Sequence, residues 1–386
     1  MATVGLNLIF LVPGRTGGME VYARELLGAI AGLAPPDTRF VTFVNREAEH
    51  EPGPWRELGR TIVVPVHATR RTEWVRAEQQ LLPRLAAREH VDLLHSLGST
   101  APGWGRFRRV VTVHDLIYRR FPQAHGGLLA LGMRVLVPLA VRRSDRVITD
   151  SRATMHDLVE LLGTPAERID VVPLGVGALP RSEPLGEQAL RERFALGERR
   201  VLLSLSAKRA HKNLAALLEA CALLEERPIL ILAGYPTAHE RELRLRAAAL
   251  GIDDDVRWPA WLEPDEVEGL WRLTAGFVYP SLYEGFGLPV LEAMARGVPV
   301  ACANAASLPE IAGEGALLFD PRDVGAIAEA IRALLAGGTD IDRRRAVGLE
   351  RAAMFTWARS ASLTLESYAR ALSGRNKRGA RHTRGV

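Results

Sequence analysis

The chain has 386 residues, 47% of them hydrophobic and 25% charged, the balance of a soluble globular protein and not of a disordered one. No apolar run approaches the roughly 18 residues of a membrane span, and two cysteines, Cys221 and Cys302, cannot by themselves build a disulfide framework or a zinc site. The net charge of +5 is unevenly spread: residues 1–180 hold 22 Arg against 18 acids, residues 181–370 hold 23 basic against 27 acidic residues, and residues 371–386 hold five basic residues and no acid. The body is therefore neutral, which argues against nucleic acid as a partner.

The first apolar stretch, Val4 to Val12, has no basic residue before it and ends in Pro13-Gly14-Arg15 without a small-residue cleavage site. It reads as a strand and turn, not a secretion signal. Strands are expected at Gly5–Val12, Phe40–Val44, Thr61–Val66, Val91–His95, Val110–Val113, Arg146–Thr149 and Ile169–Val172. Helical periodicity falls between them at Met19–Leu33, Trp74–Ala87, Leu128–Arg142 and Arg152–Leu162. Alternation at this spacing predicts a parallel sheet covered on both faces.

Pro173-Leu174-Gly175-Val176-Gly177 and the polar stretch to Glu187 form the best linker. The alternation then restarts, with strands expected at Arg200–Ser206, Pro228–Ala233, Asp255–Trp258, Gly276–Tyr279, Pro299–Ala303 and Ala316–Phe319. Helices are expected at Leu214–Glu226, His239–Leu250, Asp265–Trp271, Leu288–Arg296 and Asp323–Leu335. Two last helical stretches, Asp342–Met354 and Ala358–Leu372, have no strand after them. The fold class is thus α/β, with two tandem Rossmann-like doubly wound domains facing a central cleft and C-terminal helices packing back on the first. The expected boundaries are 1–178, 179–355, a returning helix at 356–373 and a disordered basic tail at 374–386.

Three segments hold residues suited to an anionic, hydroxyl-rich ligand. Pro13-Gly14-Arg15-Thr16-Gly17-Gly18-Met19-Glu20 joins a strand to a helix. It reads equally as a tight turn or as a backbone cradle at a helix N-terminus, where N–H groups and the dipole favour an anion. Ser206-Ala207-Lys208-Arg209-Ala210-His211-Lys212-Asn213 opens a helix after a strand. Lysine occurs only at Lys208, Lys212 and Lys377 while arginine fills 47 positions, so two lysines four apart point to a need for compact ammonium groups. A diphosphate needs such converging cations. The third segment runs from Tyr279 through Glu284-Gly285-Phe286-Gly287-Leu288-Pro289 to Glu292. It places one carboxylate in a Gly-rich loop and another one turn into a helix that has Pro in its first turn. Carboxylates accept from sugar or ribose hydroxyls, and the Phe286 and Gly287 amides suit phosphate oxygens.

This third segment resembles the Glu-x7-Glu motif of retaining glycosyltransferases with the GT-B fold, in glycosyltransferase family 4. Four further stretches fit in order: Gly17-Gly18-Met19-Glu20, Thr112-Val113-His114-Asp115-Leu116-Ile117-Tyr118, His211-Lys212-Asn213, and Ser307-Leu308-Pro309-Glu310-Ile311 followed by Gly315 to Pro321. The resemblance covers the chain to about Leu372. It implies a mannosyltransferase-like enzyme that moves a sugar from a nucleotide diphosphate-sugar, with a lean to GDP-mannose, to a hydroxyl of a glycan, lipid-linked or small-molecule acceptor. It implies no cofactor and no metal.

By the same resemblance Glu292 holds the ribose, and Lys212 and Arg209 with the Phe286–Gly287 amides hold the diphosphate. Glu284 binds sugar hydroxyls and His114 contacts the donor sugar. Gly17, Gly18, Lys208 and Leu288 complete the donor-binding set, and His114 and Glu284 are the catalytic candidates. Many relatives have Arg near Ser206, so whether Lys208 or Arg209 supplements Lys212 stays open. Asp115 is expected to orient its loop, and His95 to be structural or to support a residue of the site from behind. Asp253-Asp254-Asp255 has a metal-binding spacing but lies in a polar turn. Arg70–Trp74 and Arg106–Arg109 interleave cations with aromatics and read mainly as solvated faces. A cytoplasmic location is expected, and the short basic tail reads as solvated, with contact to anionic lipid as the alternative. The competing functions are a nucleotide-sugar epimerase and a non-catalytic scaffold.

Overall fold

The computed structural model describes residues 1–122, 127–177 and 183–379. It divides into two compact units, Met1–Gly175 with Thr356–Val386, and Val176–Phe355.

The first unit is built on seven parallel strands: β1 (Ala2–Leu8), β2 (Thr38–Val44), β3 (Gly59–Val63), β4 (Leu93–Ser96), β5 (Arg108–Val113), β6 (Arg146–Thr149) and β7 (Ile169–Val171). Their order is β3-β2-β1-β4-β5-β6-β7. The chain winds one way from β1 to β3 and the other way from β4 onward, so the topological switch lies between β1 and β4. Buried Leu6 and Leu8 come from β1 and Phe43 and Val44 from β2. Continuous apolar strands of this kind need cover on both faces. The first strand ends four residues earlier than its apolar run predicts. Ile9 and Leu11 are buried, but in a turn whose carbonyls both accept from Asn45 Nδ2. An apolar run alone does not distinguish a buried strand from a buried turn.

The helix expected over Trp74–Ala87 is interrupted. It runs Arg71–Arg76, a π-turn at Ala77–Leu81, then Leu82–Arg88. Pro83 explains the break, since it has no N–H to return to the preceding turn.

The helix Trp357–Gly379 belongs to the first unit. Ser360 Oγ donates to the Pro173 carbonyl at 2.6 Å, and Ser367 Oγ donates to Asp170 Oδ2 at 2.7 Å. Gly175 is required where it passes this helix, because a Cβ there would lie 2.3 Å from the Trp357 nitrogen. The helix runs past its expected end at 373 to Gly379, into the stretch expected as a basic tail. Residues 380–386 of that expected tail lie outside the described residues.

The second unit repeats the architecture with six parallel strands: β8 (Val201–Leu205), β9 (Ile229–Ala233), β10 (Val256–Arg257), β11 (Gly276–Tyr279), β12 (Val300–Ala303) and β13 (Leu317–Phe319). The order is β10-β9-β8-β11-β12-β13, so β8 and β11 flank its switch point. In open α/β sheets, ligands bind outside the carboxyl ends of the strands at such a point.

Candidate active site

The carboxyl end of β8 leads into one 3-10 turn, Ala210–Lys212, and Asn213 then adopts a left-handed φ of 57° to open the helix Leu214–Ala222. Asn213 Nδ2 donates to the Pro280 carbonyl at 3.2 Å and to Pro321 at 2.7 Å, pinning the turn beside the end of β11. Lys212 is thereby set against the loop after β11. Its Nζ donates to Glu284 Oε1 at 2.6 Å and to the Tyr279 hydroxyl at 3.0 Å. Both partners of this pair are mostly buried, with side-chain exposures of 15% and 13%. Burial opposes the charge on Lys212, but Glu284 and Tyr279 outweigh it and raise the pKa. Burial likewise disfavours the Glu284 carboxylate, and the Lys212 charge and hydrogen bond bring its pKa below the usual value. The pair is ionised at neutral pH.

Beyond Glu284 the chain enters the helix Leu288–Ala295. Ser307 Oγ fixes the approach by donating to the Glu284 carbonyl at 3.0 Å and to Phe286 at 2.7 Å. The Phe286 ring is buried against Phe355, 5.9 Å between centroids, so its side chain faces the core. Gly287 has φ 110°, and a Cβ there would come within 2.6 Å of Leu308 Cδ2. Only glycine makes this turn. Leu288 and Pro289 occupy the first turn of the helix, where Pro289 has no N–H and the Val290 and Leu291 N–H groups donate to the Gly287 carbonyl at 3.0 and 3.3 Å.

Glu292 lies one turn in and is partly exposed. Burial pushes its carboxyl up to about 7, against the pull of Arg296, with Glu268 adding to the rise. Arg296 is occupied: its guanidinium forks onto Glu268, with Nε 3.0 Å from Oε2, and its Nη1 donates to the Glu292 carbonyl. The Glu292 carboxylate itself hydrogen-bonds to no described residue. It is a partly desolvated acceptor group without a protein donor.

Lys208 departs from its expected place. It is fully buried, and its Nζ donates to the Gly234 carbonyl at 2.6 Å and lies 3.6 Å from Glu240. Its own N–H donates to the Tyr235 carbonyl, which turns the side chain under the β9 loop. The structure therefore does not bring Lys208 to Lys212. Arg209 next to it is exposed.

His114, Gly17 and Gly18 belong to the first unit. Gly17 caps the helix Gly18–Leu33 with φ 64°, a conformation that favours glycine, and a Cβ on either glycine would meet nothing within 4 Å. The loop is closed on itself, with Gly14 N–H donating to Glu20 Oε2 at 2.8 Å.

His114 follows β5. Its Nδ1 lies 2.7 Å from Asp150 Oδ2 and its Nε2 lies 3.0 Å from the Leu97 carbonyl. A carbonyl only accepts, so Nε2 carries a proton. Burial would lower the His114 pKa, but Asp150 and the Leu97 carbonyl more than offset this and raise it. The carboxylate oxygen beside Nδ1 and the raised pKa both favour the charged ring. The Tyr22 ring meets it edge-on at 4.7 Å.

Below this pair is a neutral network. The Tyr22 hydroxyl lies 2.9 Å from Thr112 Oγ1, which lies 2.8 Å from His95 Nε2. His95 Nδ1 lies 2.7 Å from the Tyr368 hydroxyl. Burial, with repulsion from His114, pushes His95 down to about 3, so it is uncharged. Asp115 Oδ1 accepts from Ile117 N–H at 2.9 Å and starts the short helix Ile117–Arg120.

Sequence reasoning missed Asp150, Tyr279, Tyr22 and Tyr368. Asp150 had a usable signal, since it follows β6 as His114 follows the adjacent β5. Asp253–Asp255 form a 3-10 turn in which Asp255 is paired with Arg199 at 2.8 Å and Arg227 at 3.3 Å. Both cysteines are buried and free.

Two family models cover most of the chain: "Glycosyltransferase Family 4" matches residues 16–177 and "Glycosyl transferases group 1" matches residues 187–348. The O-antigen chain mannosyltransferase B of Escherichia coli is 31% identical over 268 residues, which is 68% of this chain and 70% of that one. The chain belongs to glycosyltransferase family 4.

The chain spans about a third of the length of some larger mannosyltransferases it also matches. Among solved structures, a sucrose-phosphate synthase from Thermosynechococcus elongatus superposes with a TM-score of 0.77 at 21% identity, covering 97% of this chain and 100% of that one. Anabaena Alr3699/HepE in complex with UDP and glucose gives 0.73 at 20% identity, covering 96% and 99%. At that identity the likeness concerns the fold, which is GT-B. No helix among the described residues of this family 4 enzyme is long and apolar enough to cross a membrane.

Proposed function

We propose that this glycosyltransferase moves a mannosyl group from GDP-mannose to a hydroxyl acceptor with retention of configuration and without a divalent metal. The observation that carries the reading is the Lys212–Glu284 pair, 2.6 Å apart beside the glycine turn that opens the helix Leu288–Ala295. An ammonium and a carboxylate at one switch point, beside a helix N-terminus, suit a sugar diphosphate. The mannosyl assignment draws support from the mannosyltransferase relative.

In this reading Lys212 and exposed Arg209 bind the diphosphate, with the amides of Phe286 and Gly287, and stabilise the charge that grows as it leaves. Lys208, tied to the Gly234 carbonyl, is not the second cation. Glu284 accepts from sugar hydroxyls, and Glu292, which no protein donor satisfies, accepts from the ribose. His114, whose two ring nitrogens are held by Asp150 and the Leu97 carbonyl, contacts the donor sugar and helps orient it. The acceptor oxygen bonds to the anomeric carbon on the face the phosphate leaves, and a departing phosphate oxygen takes the acceptor proton.

The test is a panel of nucleotide sugars with soluble glycan acceptors, followed by NMR of the product's anomeric proton. Transfer from GDP-mannose giving the α-anomer is expected. A β-linked product overturns retention, and interconversion of a nucleotide sugar without transfer overturns the assignment as a transferase.

A further inference from the structure

We infer that the first unit carries a docking face for an anionic membrane surface, made of Trp104, Leu81 and Val135 set among unpaired arginines. The inference is independent of the donor site.

Trp104 is 49% exposed, yet it is mounted, not loose. Its indole Nε1 donates to the Gln79 carbonyl at 2.5 Å. That carbonyl is available because the residue four positions on is Pro83, which has no N–H. The Gln79 side chain grips the same loop from both sides. Its Oε1 accepts from Gly103 N–H at 2.9 Å and its Nε2 donates to the Ala101 carbonyl at 3.0 Å. The polar atom of the indole is thus satisfied inward while the ring stays open to solvent.

Two helices flank the loop. On one side Gly103 lies against the helix Gly127–Arg143, since a Cβ there would sit 3.4 Å from Leu139 Cδ2. Val135, 61% exposed, is one turn before Leu139, and Arg143 is one turn after it, so the three share a face. On the other side, Leu81 is 37% exposed at the start of the helix Leu82–Arg88. Arg84 and Arg88 follow it at spacings of three and seven, again on one face. Arg106 is exposed two residues beyond Trp104. Each of the three segments presents an apolar side chain with arginine beside it.

The charges on this face are left uncompensated. Arg84, Arg88, Arg106 and Arg143 make no side-chain hydrogen bond or ion pair among the described residues. Elsewhere in the same unit, Arg24, Arg60, Arg120 and Arg146 are each paired with an acid. In residues 74–88, 97–109 and 127–143 the only acid is Glu78, which is buried beneath Asn7 and Thr100.

Free guanidinium groups fork onto phosphates, and a tryptophan with aliphatic neighbours enters the headgroup boundary. A soluble polyanion or nucleic acid would use the arginines but leave Leu81 and Val135 without a role. The combination fits phospholipid.

The test is flotation of the full chain with vesicles of phosphatidylcholine, with and without phosphatidylglycerol. The wild type is expected to float with the anionic vesicles and not the neutral ones. Trp104→Ser with Val135→Ser should cut the partition coefficient about tenfold or more at an unchanged melting temperature. Arg84→Gln, Arg106→Gln and Arg143→Gln should each cut it about fivefold, and these exposed positions do not put folding at risk. Deleting residues 380–386 should leave flotation unchanged. Equal flotation of all variants, equal flotation with neutral vesicles, or loss on deleting 380–386 alone overturns the proposal. So does tight heparin or oligonucleotide binding that survives the Trp104 and Val135 changes without any vesicle binding.

Discussion

Lys212 and Glu284, delivered by the two strands that flank the switch point of the second unit, are bonded to each other at 2.6 Å. The cation assigned to the diphosphate and the carboxylate assigned to sugar hydroxyls are therefore partners before any donor arrives. A donor must compete for both, and each partner keeps the other ionised in a mostly buried place.

Removing one partner should cost stability. Lys212→Ala strands the Glu284 carboxylate, and breaking a buried pair from one side costs about 3–5 kcal/mol, toward the low end here because both groups keep some solvent. Lys212→Met combined with Glu284→Gln should recover most of that loss. Urea titration of the three proteins checks it. The double variant should still bind nucleotide diphosphate about tenfold or more weakly than wild type, which separates stability from function.

Glu292 should give donor binding a pH dependence near neutrality. Its folded pKa is raised to about 7, so it is largely protonated below that value. As an acceptor of ribose hydroxyls it works best ionised, so nucleotide affinity should rise as pH increases from about 6 to 8. Glu292→Gln should flatten the profile and weaken binding about 10–150-fold at high pH. The stability sign is opposite. A raised carboxyl pKa gives stability that is fully present below the unfolded value and lost as pH rises through the folded one. Glu292→Gln should thus be relatively more stable above pH 7. Calorimetry of binding and thermal melts across this range read both signs.

His114 should act as a cation that depends on Asp150. Its pKa is raised, so the charged form persists above the ordinary histidine range and is lost as pH rises through the folded value. Asp150→Asn removes the carboxylate 2.7 Å from Nδ1, so the falling alkaline limb of kcat should move to lower pH. His114→Ala should leave nucleotide diphosphate affinity near wild type while reducing kcat by about 10²-fold. Single-turnover rates per folded molecule decide between this and a purely structural role, which would lower the melting temperature and spare the rate.

The sequence made the two-sheet architecture readable because strand and helix alternate with clear periods and Gly-Pro punctuation, and a parallel sheet leaves few other ways to cover both faces. Lys212 stood out because lysine is scarce in this chain, and Glu284, Gly287 and Glu292 because they fall in a Gly-rich strand-to-helix segment that resembles a family motif. Lys208 read the same way and is buried, since spacing on a presumed helix says nothing about a loop whose main chain pairs with Tyr235. Tyr368 was silent for another reason, and Asp150 offered only its place after β6. Each reaches its histidine from a distant part of the chain, and only the order β4-β5-β6 and the return of the last helix bring them there.

That last helix gives a further prediction. Tyr368→Phe removes the hydroxyl 2.7 Å from His95 Nδ1 and leaves a buried ring nitrogen unpaired. The cost should be about 1–3 kcal/mol in denaturant titration, with nucleotide affinity unchanged.

Turnover should persist in excess EDTA, because Lys212 and Arg209 supply the positive charge at the diphosphate. Loss of activity restored by manganese or magnesium would reverse that assignment and turn attention to Asp253–Asp255.

The most direct test of the central claim is calorimetric titration of GDP into wild type and into folded Lys212→Ala. A diphosphate held by the Lys212 ammonium predicts affinity reduced about tenfold or more, the scale of one charge-assisted hydrogen bond. Unchanged GDP affinity in a folded Lys212→Ala protein would contradict the placement of the diphosphate at this switch point.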